Sequence, residues 1–176
     1  LSTIIEDIAD DNSRWWSTDK VQKHLEMMAP THRSRVEVMR NTKGSHYRTF
    51  YRRVRQGEQR AEVRRDAIAG CLRTAVGGSS RQFVVKAGGG QVQMRAMTPR
   101  EYARLQGVPD SYHFSADDNK AINGFGDAVC VPAITWIARH ALTPLVDELQ
   151  TGLAMDETAL LASYPRSILR DLSVSD

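Results

Sequence analysis

Cys71 and Cys130 are the only cysteines in the chain, and neither belongs to a Cys-x-x-Cys pair or a Cys/His cluster. Neither a disulfide framework nor a structural metal is therefore expected. Donor chemistry is more abundant. Between Thr31 and Arg73 there are twelve Lys or Arg against Glu37, Glu58, Glu62 and Asp66, with Tyr47, Phe50 and Tyr51 interleaved. Such a stretch suits a polyanion such as DNA, because each neutralised phosphate releases counterions; a solvated charged face is the plain alternative. Arg52, Arg53 and Arg55 are the candidates for phosphate contact. Further on, Arg73, Arg81 and Gln82 can donate to guanine or adenine edges in the major groove, and the loop carrying Gly77, Gly78 and Ser79 lets backbone amides approach phosphates. A hairpin in which those glycines merely turn the chain is the competing reading. Trp15, Trp16, His24, His32 and His46 are assigned to packing and to the surface, and none is taken as a site.

The elements that must position these groups follow from periodicity and punctuation. A chain of 176 residues, 41% hydrophobic and 26% charged with net charge +3, has the composition of a soluble globular protein able to bury its own core. No apolar run approaches the roughly 18 residues of a membrane helix, and no signal peptide is apparent, so a cytoplasmic protein is expected. The first residue is Leu, which suits a piece of a longer polypeptide or a trimmed form. Ser17-Thr18-Asp19 opens an amphipathic helix over Lys20–Met28 that Pro30 stops. Val36 and Val38 alternate with polar residues, as do Phe50 and its arginines, which predicts short strands. Gln82–Val85 and Gln91–Met97 read as strands around a Gly88-Gly89-Gly90 turn. Thr98-Pro99-Arg100-Glu101 carries a capping box with proline at the first helical position, and Gly107 supplies the left-handed residue that ends the helix. Asp117-Asp118 starts another helix, terminated by Gly124 and Gly126, and Pro132 opens a longer one with a single apolar face through Leu145. From Thr143 onward two arginines face six acidic residues.

Two separated motifs carry a resemblance. Thr98–Tyr112 (TPREYARLQGVPDSY) and Gly124–Pro132 (GFGDAVCVP) are similar, in that order, to the ninth and tenth conserved blocks of DNA cytosine-5 methyltransferases. The stretch Arg64–Thr74 with the following Gly-rich loop resembles the end of a target-recognition domain. That likeness implies an α+β fold: a small mixed β-rich recognition domain over 1–97, helical blocks over 98–146 that complete a Rossmann-like methyltransferase domain, and an acidic tail over 147–176. It also implies S-adenosylmethionine as methyl donor, with Asp127, Ala128 and Val129 at its pocket. Aspartate stands at 127 where the family has asparagine, so the side chain can accept but not donate when ionised. An N-cap role at the next helix is equally compatible with Asp127. The family's nucleophile is a Pro-Cys pair, whereas Cys71 follows Gly70 and Cys130 follows Val129. No catalytic residue is therefore assigned. The implied partners are double-stranded DNA and a catalytic half carrying Pro-Cys, encoded upstream or as a separate subunit, with no membrane. The alternatives are a non-catalytic DNA-binding remnant or regulator, and an unrelated helix-turn-helix factor in which Gly107-Val108-Pro109 makes the turn. Arg100 and Arg104, at i and i+4, should hold carbonyls or carboxylates, and Tyr102, Leu105 and Val108 should be core.

Overall fold

The computed structural model describes residues 1–74 and 81–151. Two compact units are present, Leu1–Pro132 and Ala133–Asp176. The boundary expected after Met97 falls inside the first unit, and most of the expected acidic tail lies outside the described residues.

In the first unit, helices α1 (Thr18–Glu26) and α2 (Pro30–Arg40) precede strands β1 (His46–Arg55), β2 (Glu58–Val63), β3 (Gln82–Gly88) and β4 (Gln91–Ala96); α3 (Pro99–Leu105) and α4 (Asp118–Asp127) follow. The strands form one antiparallel sheet in the order β2-β1-β3-β4. This is an α+β arrangement. Side chains alternate between the faces of a strand, and β3 shows what that means here. Phe83, Val85 and Ala87 enter a core with Phe50, Ala61, Val63 and Met94 beneath α1 and α2, whereas Val84 enters a second core with Met97, Tyr102, Ala121, Ile122 and Phe125 beneath α3 and α4. A strand covered on both faces must be almost continuously apolar, as Phe83-Val84-Val85 is.

Pro30 does not merely end the first helix. It occupies the first turn of α2, where its missing N–H costs nothing and its fixed φ favours helix entry. The strand expected around Val36 and Val38 is accordingly helix: Val36 is fully buried and Val38 is 66% exposed, two positions on opposite sides of α2. Strand β2 has no counterpart in the sequence reading. Gln56 (φ 51°) and Gly57 (φ 79°) provide the two left-handed residues of a tight hairpin that brings β2 back along β1. His32 fastens α2 to β2, its Nδ1 accepting from the Val63 amide at 3.2 Å.

His24 is a further correction, since it is buried rather than superficial. It sits between Trp16, at 4.4 Å between ring centroids, and Phe50 and Phe83. Burial lowers its pKa from the ordinary 6.5, aided by the positive charges of Arg52, Lys20 and Lys23 and opposed by the bond between Nδ1 and the Lys20 carbonyl.

The expected capping box is present at Thr98 and Glu101, and Gly107 has φ +76°. Glu101 does more than cap. With Arg95 it forms an ion pair whose side chains are both 0% exposed. Its Oε1 accepts from Arg95 at 2.5 Å and from the Glu6 amide at 2.9 Å, and its Oε2 accepts from Arg95 and from the Thr98 amide, both at 2.8 Å. One carboxylate thereby ties β4, α3 and the N-terminal segment together. Arg100 donates to the carbonyls of Pro109 and Tyr112, and Arg104 makes a two-pronged pair with Asp110, as their spacing suggested. Tyr102 is fully buried, while Leu105 and Val108 flank the same core.

Helix α4 runs through Gly124 and Gly126 to Asp127, past the glycines expected to stop it. Asp127 therefore closes α4, and it does not cap the next helix; the α4 N-cap is Asp117, accepting from the amides of Asn119 and Lys120. Helix α5 (Val131–Ile137) begins at the edge of the first unit. A π-helical turn (Ala138–Leu142) leads from it into α6 (Thr143–Thr151), and the wider turn falls just before Pro144, which has no N–H to give an α-helical ladder. By length and composition alone, the stretch Asp118–Leu149 is long and apolar enough to cross a membrane. It is not one uninterrupted helix, because Ala128 is extended (φ −70°, ψ 159°), and Ala121, Ile122 and Phe125 already belong to a protein core. The strands β3 and β4, and the stretch 106–117 that separates α3 from α4 where a tight turn at Gly107 would be needed, count against the helix-turn-helix alternative.

Candidate functional site

The antiparallel register places Glu62, Tyr51 and Gln82 in one row across β2, β1 and β3, on the face opposite Phe50. Beside that row opens a pocket of about 410 Å³ lined by Tyr51, Arg53, Arg64, Gly70, Cys71, Arg73 and Gln82. Strand alternation sorts the arginines of β1. Arg53 and Arg55 share the face of Tyr51, whereas Arg52 lies on the other face, its guanidinium 5.0 Å from the centroid of Phe83.

Glu62 organises the pocket's edge. It accepts from the Tyr51 hydroxyl at 2.7 Å, from Arg55 Nε at 2.7 Å and from Arg53 at 3.3 Å. Partial burial alone would raise its pKa, but the Arg55 and Tyr51 donors and the charges of Arg53 and Arg55 hold it below the ordinary carboxylate range. Arg64 forks onto Asp66 at 2.9 and 3.0 Å. Both acids neutralise part of the local charge while fixing the guanidiniums in place, so the pocket presents oriented donors to an anion or to an acceptor edge.

Gln82 is only 4% exposed, and its amide supports the pocket from beneath. Its Nε2 donates to the Cys71 carbonyl at 3.4 Å, its Oε1 has no partner among the described residues, and its backbone N–H donates to the Tyr102 hydroxyl at 2.9 Å. Arg81 reaches α4 at Asn119 Oδ1, 3.5 Å away. Of the candidate DNA contacts, Arg53, Arg73 and Gln82 therefore meet at one pocket, with Arg55 joined through Glu62. Arg52 and Arg81 lie apart from it. Gly77, Gly78 and Ser79 lie outside the described residues. Tyr51, Arg64, Gly70 and Cys71 were not anticipated as lining. A strict two-residue reading of Tyr51, Arg53 and Arg55 would have grouped the first of them with the arginines.

The second feature is built at the α4–α5 corner. Gln106 is buried, and its Nε2 donates to the carbonyls of Phe125 at 2.7 Å and Ala128 at 3.0 Å, while its own carbonyl accepts from the Val131 amide at 2.9 Å. Three hydrogen bonds from one residue fix the backbone on either side of Asp127. Ala128 and Val129 line a mainly apolar groove of about 660 Å³ with Val108, Phe114, Phe125 and Val131, and Asp127, Ala128 and Val129 are all exposed. A smaller cleft of about 360 Å³ lies between the two features, sharing Gly70 and Cys71 with the arginine pocket and Gln106 and Ala128 with the groove. Among the described residues, no three His, Cys, Asp or Glu side chains converge as a metal site.

Residues 1–142 match the family described as C-5 cytosine-specific DNA methylase. Individual relatives are similar over shorter stretches. Type II methyltransferase M.HpaII of Haemophilus parainfluenzae is 50% identical over 52 residues, which is 30% of this chain and 14% of the relative. Type II methyltransferase M.NlaX of Neisseria lactamica is 52% identical over 46 residues, 26% and 15% of the two chains. M.HgiCI of Herpetosiphon aurantiacus, also a Type II methyltransferase, is 50% identical over 44 residues, 25% and 10%. The matched stretches thus span about a seventh of the length of the first two relatives. No solved structure matches the chain.

Proposed function

The chain belongs to the C-5 cytosine-specific DNA methylase family, and on that footing we propose that it supplies target recognition and one wall of the cofactor pocket to a DNA (cytosine-5)-methyltransferase of a restriction-modification system. The carrying observation is the joining, in one compact unit, of an arginine-lined pocket to the fixed corner that bears Asp127, Ala128 and Val129.

Arg53 and Arg73 serve double-stranded DNA at the pocket, with Arg55 held alongside through Glu62 and other solvent-exposed basic residues of that face setting register on phosphates. S-adenosylmethionine, when bound, supplies the methyl group. Fit for it rests on the groove beside Ala128 and Val129: apolar walls suit a flat ring or an alkyl chain, and the clamp by Gln106 holds the backbone of the corner in one arrangement. Asp127 is exposed and can accept from a hydroxyl or amine of the cofactor. The exposed apolar side chains of α5 and α6, Ile134, Ile137, Val146 and Leu149 among them, provide the surface on which a Rossmann-like catalytic half would pack. That half brings the Pro-Cys nucleophile, since Gly70 and Val129 precede the two cysteines of this chain. The cytosine is enclosed between the two halves after leaving the stack.

The experiment is reconstitution. The chain is mixed with, or fused to, a catalytic half carrying the Pro-Cys and cofactor motifs, and transfer of label from S-adenosylmethionine to DNA is followed, with bisulfite sequencing of the product. Label is expected in C5 of cytosine in one sequence context only when both parts are present. Incorporation by the chain alone, or none with any cognate half while each part is folded, counts against the proposal.

A further inference from the structure

Gly126 stands in the last turn of α4, one residue before the Asp127–Val129 corner, and its missing side chain has a specific neighbour. A Cβ built there would lie 2.4 Å from the carbonyl carbon of Arg73, 2.5 Å from its oxygen and 2.5 Å from the Thr74 nitrogen. All three are main-chain atoms, so no rotamer change relieves the overlap; the Arg73–Thr74 peptide itself has to move. A Cβ at Gly124, two residues earlier in the same helix, meets nothing within 4 Å among the described residues. The need for a bare Cα therefore belongs to position 126 and not to the helix. Backbone conformation does not demand glycine there either, because Gly126 is absent from the positive-φ residues and lies within regular helix, where glycine is less favourable than alanine.

The contacted peptide belongs to the wall of the arginine pocket, to which Gly70, Cys71 and Arg73 all contribute. Gln82 holds the same segment from the sheet side through the Cys71 carbonyl, and Gln106 holds the end of α4 through the carbonyls of Phe125 and Ala128. The segment is thus seated between a strand and a helix, with Gly126 facing the Arg73–Thr74 peptide. We propose that Gly126 is a positioning residue for DNA recognition: it lets the Arg73–Thr74 peptide seat against α4, so that Arg73 lines the pocket with Arg53. This rests on the DNA-recognition reading above for its functional consequence, and on close packing alone for the contact.

The test compares Gly126→Ala with Gly124→Ala in the full chain, reading DNA affinity and its salt dependence by fluorescence anisotropy and amide exchange over residues 70–74. Gly126→Ala is expected to weaken binding about tenfold, equivalent to about 1.4 kcal/mol, and to speed exchange at Cys71–Thr74; Gly124→Ala should change neither. Once Arg73→Ala is present, Gly126→Ala should cost little more, because both act through one contact. A general loss of stability would add to the Arg73→Ala effect and overturn the proposal. In the unmodified chain a nuclear Overhauser effect between Gly126 Hα and the Thr74 amide is expected, and its absence overturns the contact even if the variant fails to fold. Unmodified chain without DNA affinity would defeat the DNA reading and the recognition role together, whereas intact binding with Gly126→Ala indistinguishable from the unmodified chain defeats the positioning role alone.

Discussion

Glu101→Gln replaces one carboxylate oxygen by an amide group at a site where every neighbour is a donor. Two donors reach each oxygen: Arg95 and the Glu6 amide on one, Arg95 and the Thr98 amide on the other. Whichever way the new amide turns, one pair of hydrogen bonds is lost and two donors face an –NH2. The Arg95 guanidinium also keeps its charge with no counterion, at 0% exposure. Breaking a buried pair from one side costs about 3–5 kcal/mol, mostly through the charge left behind. The cap itself is worth about 1 kcal/mol and survives in part through the Thr98 hydroxyl, which still accepts from the residue 101 amide. A loss of about 3–4 kcal/mol is therefore expected, a large share of the roughly 5–15 kcal/mol of an ordinary domain. Urea unfolding followed by circular dichroism should show the midpoint falling with the slope unchanged. The pairing of Arg95→Met with Glu101→Leu, which removes both charges, should recover much of the loss. A Glu101→Gln cost below about 1 kcal/mol would refute the reasoning, as would a double variant no better than the single one.

Three other expectations follow from the same packing. His24 has a folded pKa below its unfolded value of 6.5, so the unfolded chain binds the proton first on acidification; stability is complete above about pH 6.5 and declines as pH falls towards the folded pKa. Thermal melts of His24→Phe should lose this part of the acid sensitivity, and an unaltered pH profile would contradict the assignment. Arg53→Ala should lower the salt slope of DNA binding by about one, while Arg52→Ala, whose guanidinium covers Phe83, should act on stability and leave that slope alone; equal slopes for the two would remove the distinction between the strand's faces. Phe50→Ala, at a fully buried ring stacked 5.2 Å from Phe83, should cost about 3–5 kcal/mol by denaturation.

Local chemistry was the legible part of this chain. Thr98, Pro99, Glu101 and Gly107 fix α3 by interactions within a single turn at either end, so their pattern announces the helix without knowledge of its surroundings. Strand β1 was readable from Phe50 alternating with arginines, although Thr49, on the other face, is as deeply buried as Phe50. Elements decided by distant partners were not. Strand β2 is Glu-Gln-Arg-Ala-Glu-Val, too polar to declare itself, and it exists because β1 offers it a ladder and Ala61 and Val63 a core. Arg95 reads as a surface residue until Glu101 is found beside it. At the candidate site the residue types were apparent and their grouping was not: Arg52 and Arg53 are neighbours in the chain and lie on opposite faces of the sheet.

Strand β3 is a party wall. Phe83 leans into one room and Val84 into the other, so the body that reads DNA in our proposal and the helices that follow it share a single partition. A polypeptide cut after Met97 would leave Val84, Tyr47 and Met97 itself facing water where Tyr102, Ile122 and Phe125 had stood. Anyone hoping to transplant the sheet and its first two helices onto a different protein must therefore carry α3 and α4 along with them, or repaint the exposed side of the sheet in polar residues first.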